Sequence, residues 1–185
     1  MSRKAAFIDR DGVLNEERAF VHRVEDFTFV PGAIEALRIL QSAGYLLVVI
    51  TNQSGIARGL YSEEDYLALT AHMRERLQIE GIRLAAVEYC PHLTEAPVER
   101  YRMDCDCRKP KPGMLKRAIG ILDIDPQASF LVGDRLTDVE AGRAGGIGRC
   151  FLVRTGYPLS EEAVARADAV YDDLLSCVRA VLPPR

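Results

Sequence analysis

The sequence predicts a three-layer α/β fold, a parallel sheet with helices on both faces. Two patterns carry that reading. Short apolar runs alternate with segments of helical period along almost the whole chain. The run at 45–50 is apolar without a break, as expected of a strand covered on both sides rather than half exposed. At 185 residues the chain has the size of one domain, so 1–185 is read as a single unit.

The elements follow in order. Residues 5–8 (AAFI) form the first strand. Ala33, Ile34, Leu37 and Leu40 recur at helical spacing after Pro31-Gly32, and Gly44 closes that helix. The strand at 45–50 comes next. Ser62 with Asp65 forms a capping box before a helix carrying Tyr66, Leu69, Met73 and Leu77, which Gly81 ends. A strand at 85–89 and a helix through Leu115, Ile119 and Leu122 flank an aperiodic stretch at 91–112. Then come a short strand at 130–132, a helix with Thr137 as N-cap and Glu140 as box partner, a strand at 150–153, and a last helix through Leu174, Val178 and Val181. Strands separated by helices imply right-handed crossovers and a parallel sheet.

Composition narrows the function. Lys and Arg number 24 against 27 Asp and Glu, a net charge of −3, which argues against a nucleic-acid partner. No run reaches the ~20 apolar residues of a membrane helix, and Asp9 interrupts the first apolar segment before it could serve as a signal-peptide core. The expected setting is the cytoplasm, with no membrane partner and a monomeric chain.

Three strand ends carry unusual polar groups. The first strand runs into Asp9-Arg10-Asp11-Gly12, the second into Thr51-Asn52-Gln53-Ser54-Gly55, and the strand at 130–132 into Gly133-Asp134 with Asp138 beyond. Alone, Asp11-Gly12 reads as a turn, and Thr51 or Asp134 as a helix cap. Together at the carboxyl edge of one parallel sheet they describe a ligand site. Clustered carboxylates call for a hard cation such as Mg²⁺, and a phosphate fits between that ion, the Thr51 hydroxyl and a lysine. EF-hand, P-loop and dinucleotide-binding spacings are absent from the sequence.

Phe-Ile-Asp9-Arg-Asp11-Gly, Thr51-Asn52, Lys109 and Gly-Asp134-Arg-Leu-Thr-Asp138 resemble the four motifs of the haloacid dehalogenase (HAD) superfamily. The resemblance implies a Rossmann-like, HAD-like sheet with a minimal cap. It makes Asp9 the nucleophile of an aspartyl-phosphate mechanism and Asp11 the general acid and base. It places Mg²⁺ on Asp9, the Asp11 backbone carbonyl and Asp134, and gives Thr51 and Lys109 the transferring phosphoryl charge. Asp138 either supports this shell from behind or stabilises the first turn of its helix.

The stretch at 91–112 is longer than most loops. Cys90-Pro91-His92, twelve residues and Cys105-Asp106-Cys107 supply four soft ligands suited to tetrahedral, structural Zn²⁺; the plain alternative is a loop of reduced thiols. His72 reads as a surface residue, whereas His22, just beyond the first motif, has no clear role. The wording of the zinc loop (90–107) and of 51–59 resembles the superfamily branch that removes the 7-phosphate of heptose 1,7-bisphosphates for lipopolysaccharide precursors. That resemblance implies a small sugar-bisphosphate substrate touched by Glu17, Arg18, Ala19, Phe20, Thr51, Asn52, Gln53, Ser54, Arg108, Lys109 and Arg135. The histidinol-phosphate phosphatase branch shares the first motif and a zinc loop, and a silent phosphosugar-binding module is the non-enzymatic alternative. The preferred anomer at C1 is not readable from the residues.

Overall fold

The computed structural model describes residues 3–182. The ends of the single unit read as 1–185, residues 1–2 and 183–185, lie outside them. Six strands form one parallel sheet in the order β3-β2-β1-β4-β5-β6: β1 Ala5–Ile8, β2 Leu46–Asn52, β3 Leu84–Cys90, β4 Phe130–Gly133, β5 Arg149–Val153 and β6 Ala169–Tyr171. Strand residues alternate between two apolar layers. Ala6, Ile8, Val49 and Val132 meet α1 (Ala33–Ser42), α3 (Glu63–Ile79) and α7 (Leu174–Val181) through Leu37, Met73 and Val178. Ala5, Phe7, Val48 and Leu131 meet α4 (Gly113–Leu122), α5 (Leu136–Ala144) and α6 (Glu161–Arg166) through Leu115, Val139 and Ala163. A sheet sealed on both faces needs apolar side chains in both directions, which is why its central strands read as unbroken apolar runs.

The local rules mostly hold. Ser62 Oγ accepts the Asp65 N–H at 3.0 Å while Asp65 Oδ2 accepts the Ser62 N–H at 2.8 Å, so the capping box of α3 is formed. Thr137 is not the cap of α5. Arg135 holds that position, and the Asp138 carboxylate reaches back to the N–H groups of Asp134 and Arg135 at 3.2 and 3.0 Å. An acceptor in the first helical turn does the work expected of Thr137. The short helix α2 (Ser54–Ala57), α6 and edge strand β6 were not read from the sequence. None runs to two full periods, at 4, 6 and 3 residues, too few for a repeat to show.

The strand order reverses at β1, which pairs with β2 on one side and β4 on the other. Ile8 lies opposite both Val49 and Val132. Asp9, Thr51 and Asp134 therefore emerge side by side at the carboxyl edge, at the switch point where open parallel sheets leave a crevice.

Candidate active site

Asp9, Asp134 and Asp138 converge at that edge, each offering a carboxylate oxygen within 4.8 Å of the others. All three are buried, at 8%, 1% and 1% exposure, so their charges need compensation. Lys109, 4% exposed, supplies one positive charge. Its three N–H donors reach Asp138 Oδ1 at 2.6 Å, Asp9 Oδ2 at 3.0 Å and the Ile50 carbonyl at 3.2 Å. Burial alone would pull the Lys109 pKa down, but Asp138 and Asp9 outweigh it and the net shift is upward. Burial drives the Asp9 carboxyl well above its usual range; Lys109 opposes that shift while Asp138 and Asp134 add to it. Asp134 is pushed up to about 6, by burial first and then by the Asp138 charge.

One lysine does not neutralise three carboxylates, and the hydrogen bonding shows where a cation fits. Both oxygens of Asp138 are occupied, one by Lys109 and one by two backbone N–H groups. Asp134 Oδ2 accepts the Tyr157 N–H at 3.0 Å, but Asp134 Oδ1 is buried with no partner among the described residues. A fully buried, unpaired carboxylate oxygen beside Asp9 suits a hard divalent ion. Asp138 belongs to the cluster as its support. Space around Asp134 is closed by backbone: a Cβ on Gly156 would fall 1.9 Å, and one on Gly12 2.6 Å, from Asp134 Oδ2. The Thr155-Gly156-Tyr157 segment after β5 is thus a fourth loop of the site. No motif in the sequence announced it.

Asp11 stands apart from the acidic cluster. Its oxygens accept from Arg10 Nη2 at 2.9 Å, Gln53 Nε2 at 3.0 Å and Asn15 Nδ2 at 3.1 Å, and its side chain is 19% exposed to the cleft. Gln53 Nε2 also donates to Thr51 Oγ1 at 2.8 Å, which leaves the Thr51 hydroxyl proton for another acceptor.

A cleft of about 330 Å³ opens over these groups. Of the expected substrate contacts, Glu17, Phe20, Thr51, Asn52, Gln53, Ser54, Arg108, Lys109 and Arg135 line it; Arg18 and Ala19 do not. Arg18 turns out to solvent and pairs with Glu16 at 2.6 Å, and Ala19 offers its N–H to Glu17 Oε1 at 2.7 Å. Asn52 reaches the wall, but its amide is spent on the Lys109 backbone, accepting from N and donating to O at 3.1 Å each. It fixes the lysine. Glu17, half-buried, has its carboxyl raised by desolvation and then by the Asp11 charge. Arg58, Tyr61, Thr137 and Tyr157 also face the cleft and were missed. The Arg135 guanidinium lies 3.6 Å over the Tyr157 ring, a cation–π contact that holds a charged group at the rim. His22 does not reach the cleft; it stacks on Tyr61 at 4.8 Å.

Cys90, His92, Cys105 and Cys107 come together away from the acidic cluster. Four of their six edges measure 3.4 Å (Cys105–Cys107 and Cys107–His92 Nδ1), 3.5 Å (Cys90–Cys105) and 3.8 Å (Cys90–His92 Nδ1), and all six lie within 4.8 Å. A regular tetrahedron around Zn²⁺ with its usual bond lengths has edges of roughly 3.6–3.8 Å, so the four ligands fit that ion and are too far apart for disulfides. Burial pushes the Cys90 and Cys107 thiols up. At Cys105 it acts the same way, but hydrogen bonds from Cys107 and the Arg108 N–H outweigh it and the net shift is downward. The loop has a second anchor: Ala96 and Tyr101 pack against Ile56, Ala57 and Tyr61.

Comparison with known proteins gives one consistent picture. A HAD-hydrolase-like family model matches residues 106–177. A D-glycero-beta-D-manno-heptose-1,7-bisphosphate 7-phosphatase of Pasteurella multocida (strain Pm70) is 49% identical over 172 residues, 93% of each chain. A protein of the same name from Escherichia coli (strain K12) is 45% identical over 177 residues, 96% of this chain and 93% of that one. Among solved structures, the D,D-heptose 1,7-bisphosphate phosphatase of B. bronchiseptica, complexed with magnesium and phosphate, superposes with a TM-score of 0.81 at 31% identity, covering 96% of this chain and 97% of that one.

Proposed function

Because the chain belongs to the D-glycero-beta-D-manno-heptose-1,7-bisphosphate 7-phosphatase family of HAD-like hydrolases, we propose that it removes the 7-phosphate of that sugar bisphosphate and leaves heptose 1-phosphate. We take the substrate as the β anomer at C1, the one carried in the relatives' names. The product enters lipopolysaccharide heptose precursor synthesis, in a cytoplasm whose reducing conditions suit three zinc-ligating thiolates and the two remaining thiols, Cys150 and Cys177. The observation that carries the reading is the Asp9 carboxylate held 3.0 Å from the Lys109 ammonium beside the unpaired Asp134 oxygen, at the floor of a cleft with arginines at its rim.

In this mechanism an Asp9 oxygen attacks the phosphorus of the 7-phosphate in line. The bond from phosphorus to the sugar oxygen breaks, and its electron pair leaves with that oxygen, which takes a proton from Asp11. Asp11, now a carboxylate, takes a proton from water as the water oxygen attacks the aspartyl phosphate; inorganic phosphate departs and Asp9 is restored. Thr51 donates to the phosphoryl oxygens, and Lys109 turns to them the N–H that it gives Asp9 in the free site, each aimed donor contributing about 3 kcal/mol. Asp9, Asp134 and the Asp11 carbonyl would hold Mg²⁺, which supplies neutralisation of phosphoryl charge. Arg108 and Arg135 take the phosphate that is not hydrolysed. Cys90, His92, Cys105 and Cys107 would hold a structural Zn²⁺, which would fix Cys107 and hence the Arg108-Lys109 step.

Purified protein with Mg²⁺ should release one phosphate per heptose 1,7-bisphosphate and leave a product phosphorylated at C1, read by ³¹P NMR. A product that keeps its 7-phosphate, or faster turnover of histidinol phosphate, refutes the assignment.

A further inference from the structure

Arg10 is a fully buried charge that the chemistry above leaves without a task. It is 1% exposed, and an arginine is among the most costly side chains to bury. We propose that Arg10 is a positioning residue that sets the Asp11 carboxylate for proton transfer and ties it to the substrate loop at 17–22. The proposal rests on the reading of Asp11 as the proton-transferring group.

The guanidinium fork carries the argument. Arg10 Nη2 donates to Asp11 Oδ1 at 2.9 Å and to the Val21 carbonyl at 2.8 Å, while Nε sits 3.3 and 3.2 Å from the two Asp11 oxygens. One rigid group therefore grips the carboxylate with two nitrogens and the loop with one of the same two. A lysine ammonium, a point donor on a flexible stem, cannot reproduce that geometry. The Arg10 guanidinium carbon lies 5.8 Å over the Tyr66 ring, which fixes its plane from behind.

A second tie runs between the same two ends. Gln53 donates to Asp11 Oδ2 at 3.0 Å and accepts the Tyr61 hydroxyl at 2.6 Å, and the Tyr61 ring stacks on His22 with 5° between the planes. The ring occupies space that any side chain at Gly55 would take, since a Cβ there would lie 2.1 Å from Tyr61 Cε1. The loop so held is itself under backbone strain. Ala19 and Phe20 are consecutive non-glycine residues at φ 53° and 63°, a conformation that persists only where surrounding contacts enforce it. Glu17 and Phe20 present this loop to the cleft. Substrate contacts made there reach Asp11 by two routes, which is how remote binding is converted into rate.

The test is leaving-group dependence. kcat/KM covers the steps through phosphoryl transfer to Asp9, before any water attacks. A sugar alkoxide needs a proton to leave, whereas p-nitrophenolate does not. Relative to wild type, Arg10→Lys should lose about thirtyfold or more in kcat/KM on heptose 1,7-bisphosphate and less than about threefold on p-nitrophenyl phosphate, since general acids contribute roughly 10²–10⁴-fold. Tyr61→Phe, which removes one hydroxyl and keeps the stacking ring, should show the same bias more weakly; it decides the matter if Arg10→Lys does not fold. Equal losses on both substrates would overturn the proposal and leave Arg10 a structural ion pair. A wild-type enzyme active only on another alkyl phosphate would overturn the heptose assignment alone, with the Arg10 comparison made on that substrate. A wild type inert on every phosphate ester overturns both.

Discussion

Asp134 shows how a residue can burden the fold for the sake of the site. Its carboxyl moves from 3.8 up to about 6 because burial and Asp138 disfavour its charge. A carboxyl raised in this way favours folding below the unfolded value and loses that advantage as pH rises through the folded one. Near pH 7.5 the ionised side chain therefore destabilises the metal-free protein by roughly 2–3 kcal/mol. Asp134→Asn should melt higher than wild type in EDTA at pH 7.5, with the gap closing towards pH 4. In millimolar Mg²⁺ the order should reverse, because only the wild type gains from the ion. Differential scanning calorimetry in the two buffers checks both signs. A variant that melts lower than wild type in EDTA would show that Asp134 is not under electrostatic strain. The motif named this aspartate from sequence. Its unpaired Oδ1 was not legible, because that depends on which neighbours spend their donors on Asp138.

At the scale of elements, the loop at 90–107 controls a lysine it does not contain. Cys107 is followed directly by Arg108 and Lys109, so an ion held by the four loop residues would set where the lysine enters the site. Asn52 braces the Lys109 backbone independently, and Ala96 and Tyr101 pack the loop onto α2 and Tyr61. Removing zinc should therefore loosen the loop without unfolding the sheet. Zinc-free protein in excess Mg²⁺ should keep its far-ultraviolet circular dichroism and lose about tenfold or more in kcat. Adding Asn52→Ala should deepen the loss more than it does in the zinc-loaded enzyme, since the two braces share one target. Full activity at less than 0.1 zinc per chain (roughly, by atomic emission) would remove the loop from catalysis. Cysteine and histidine spacing made the meeting of these four side chains readable in advance. The apolar anchor was not, because Ala96 and Tyr101 have no period and acquire a partner only when α2 folds beneath them.

For the molecule as a whole, the strand order places three motifs from distant parts of the chain on adjacent strands. Apolar periodicity identified most of these strands but could not order them, since order depends on which side each crossover takes. Strand-end chemistry supplied what periodicity lacked: acidic residues at 9 and 134 are useful together only if β1 and β4 are neighbours. Tyr157 belongs to no motif, and Arg58, though inside the 51–59 segment, showed its place at the site only with the cleft. Together they shape the field. Net charge is −3, yet Arg58, Arg108 and Arg135 line the mouth and none forms a salt bridge among the described residues. Attraction of substrate must then come from this local patch, which salt screens over about 30 Å at 0.01 M and less than 10 Å above 0.1 M. Raising the ionic strength across that range should lower kcat/KM for a sugar bisphosphate by about tenfold and for a monophosphate ester by distinctly less. Arg135→Gln should flatten the first slope towards the second, because it removes one rim charge and leaves Asp9, Lys109 and Asp134 in place. Identical slopes for the two substrates would mean that the rim arginines do not select for a second phosphate by charge.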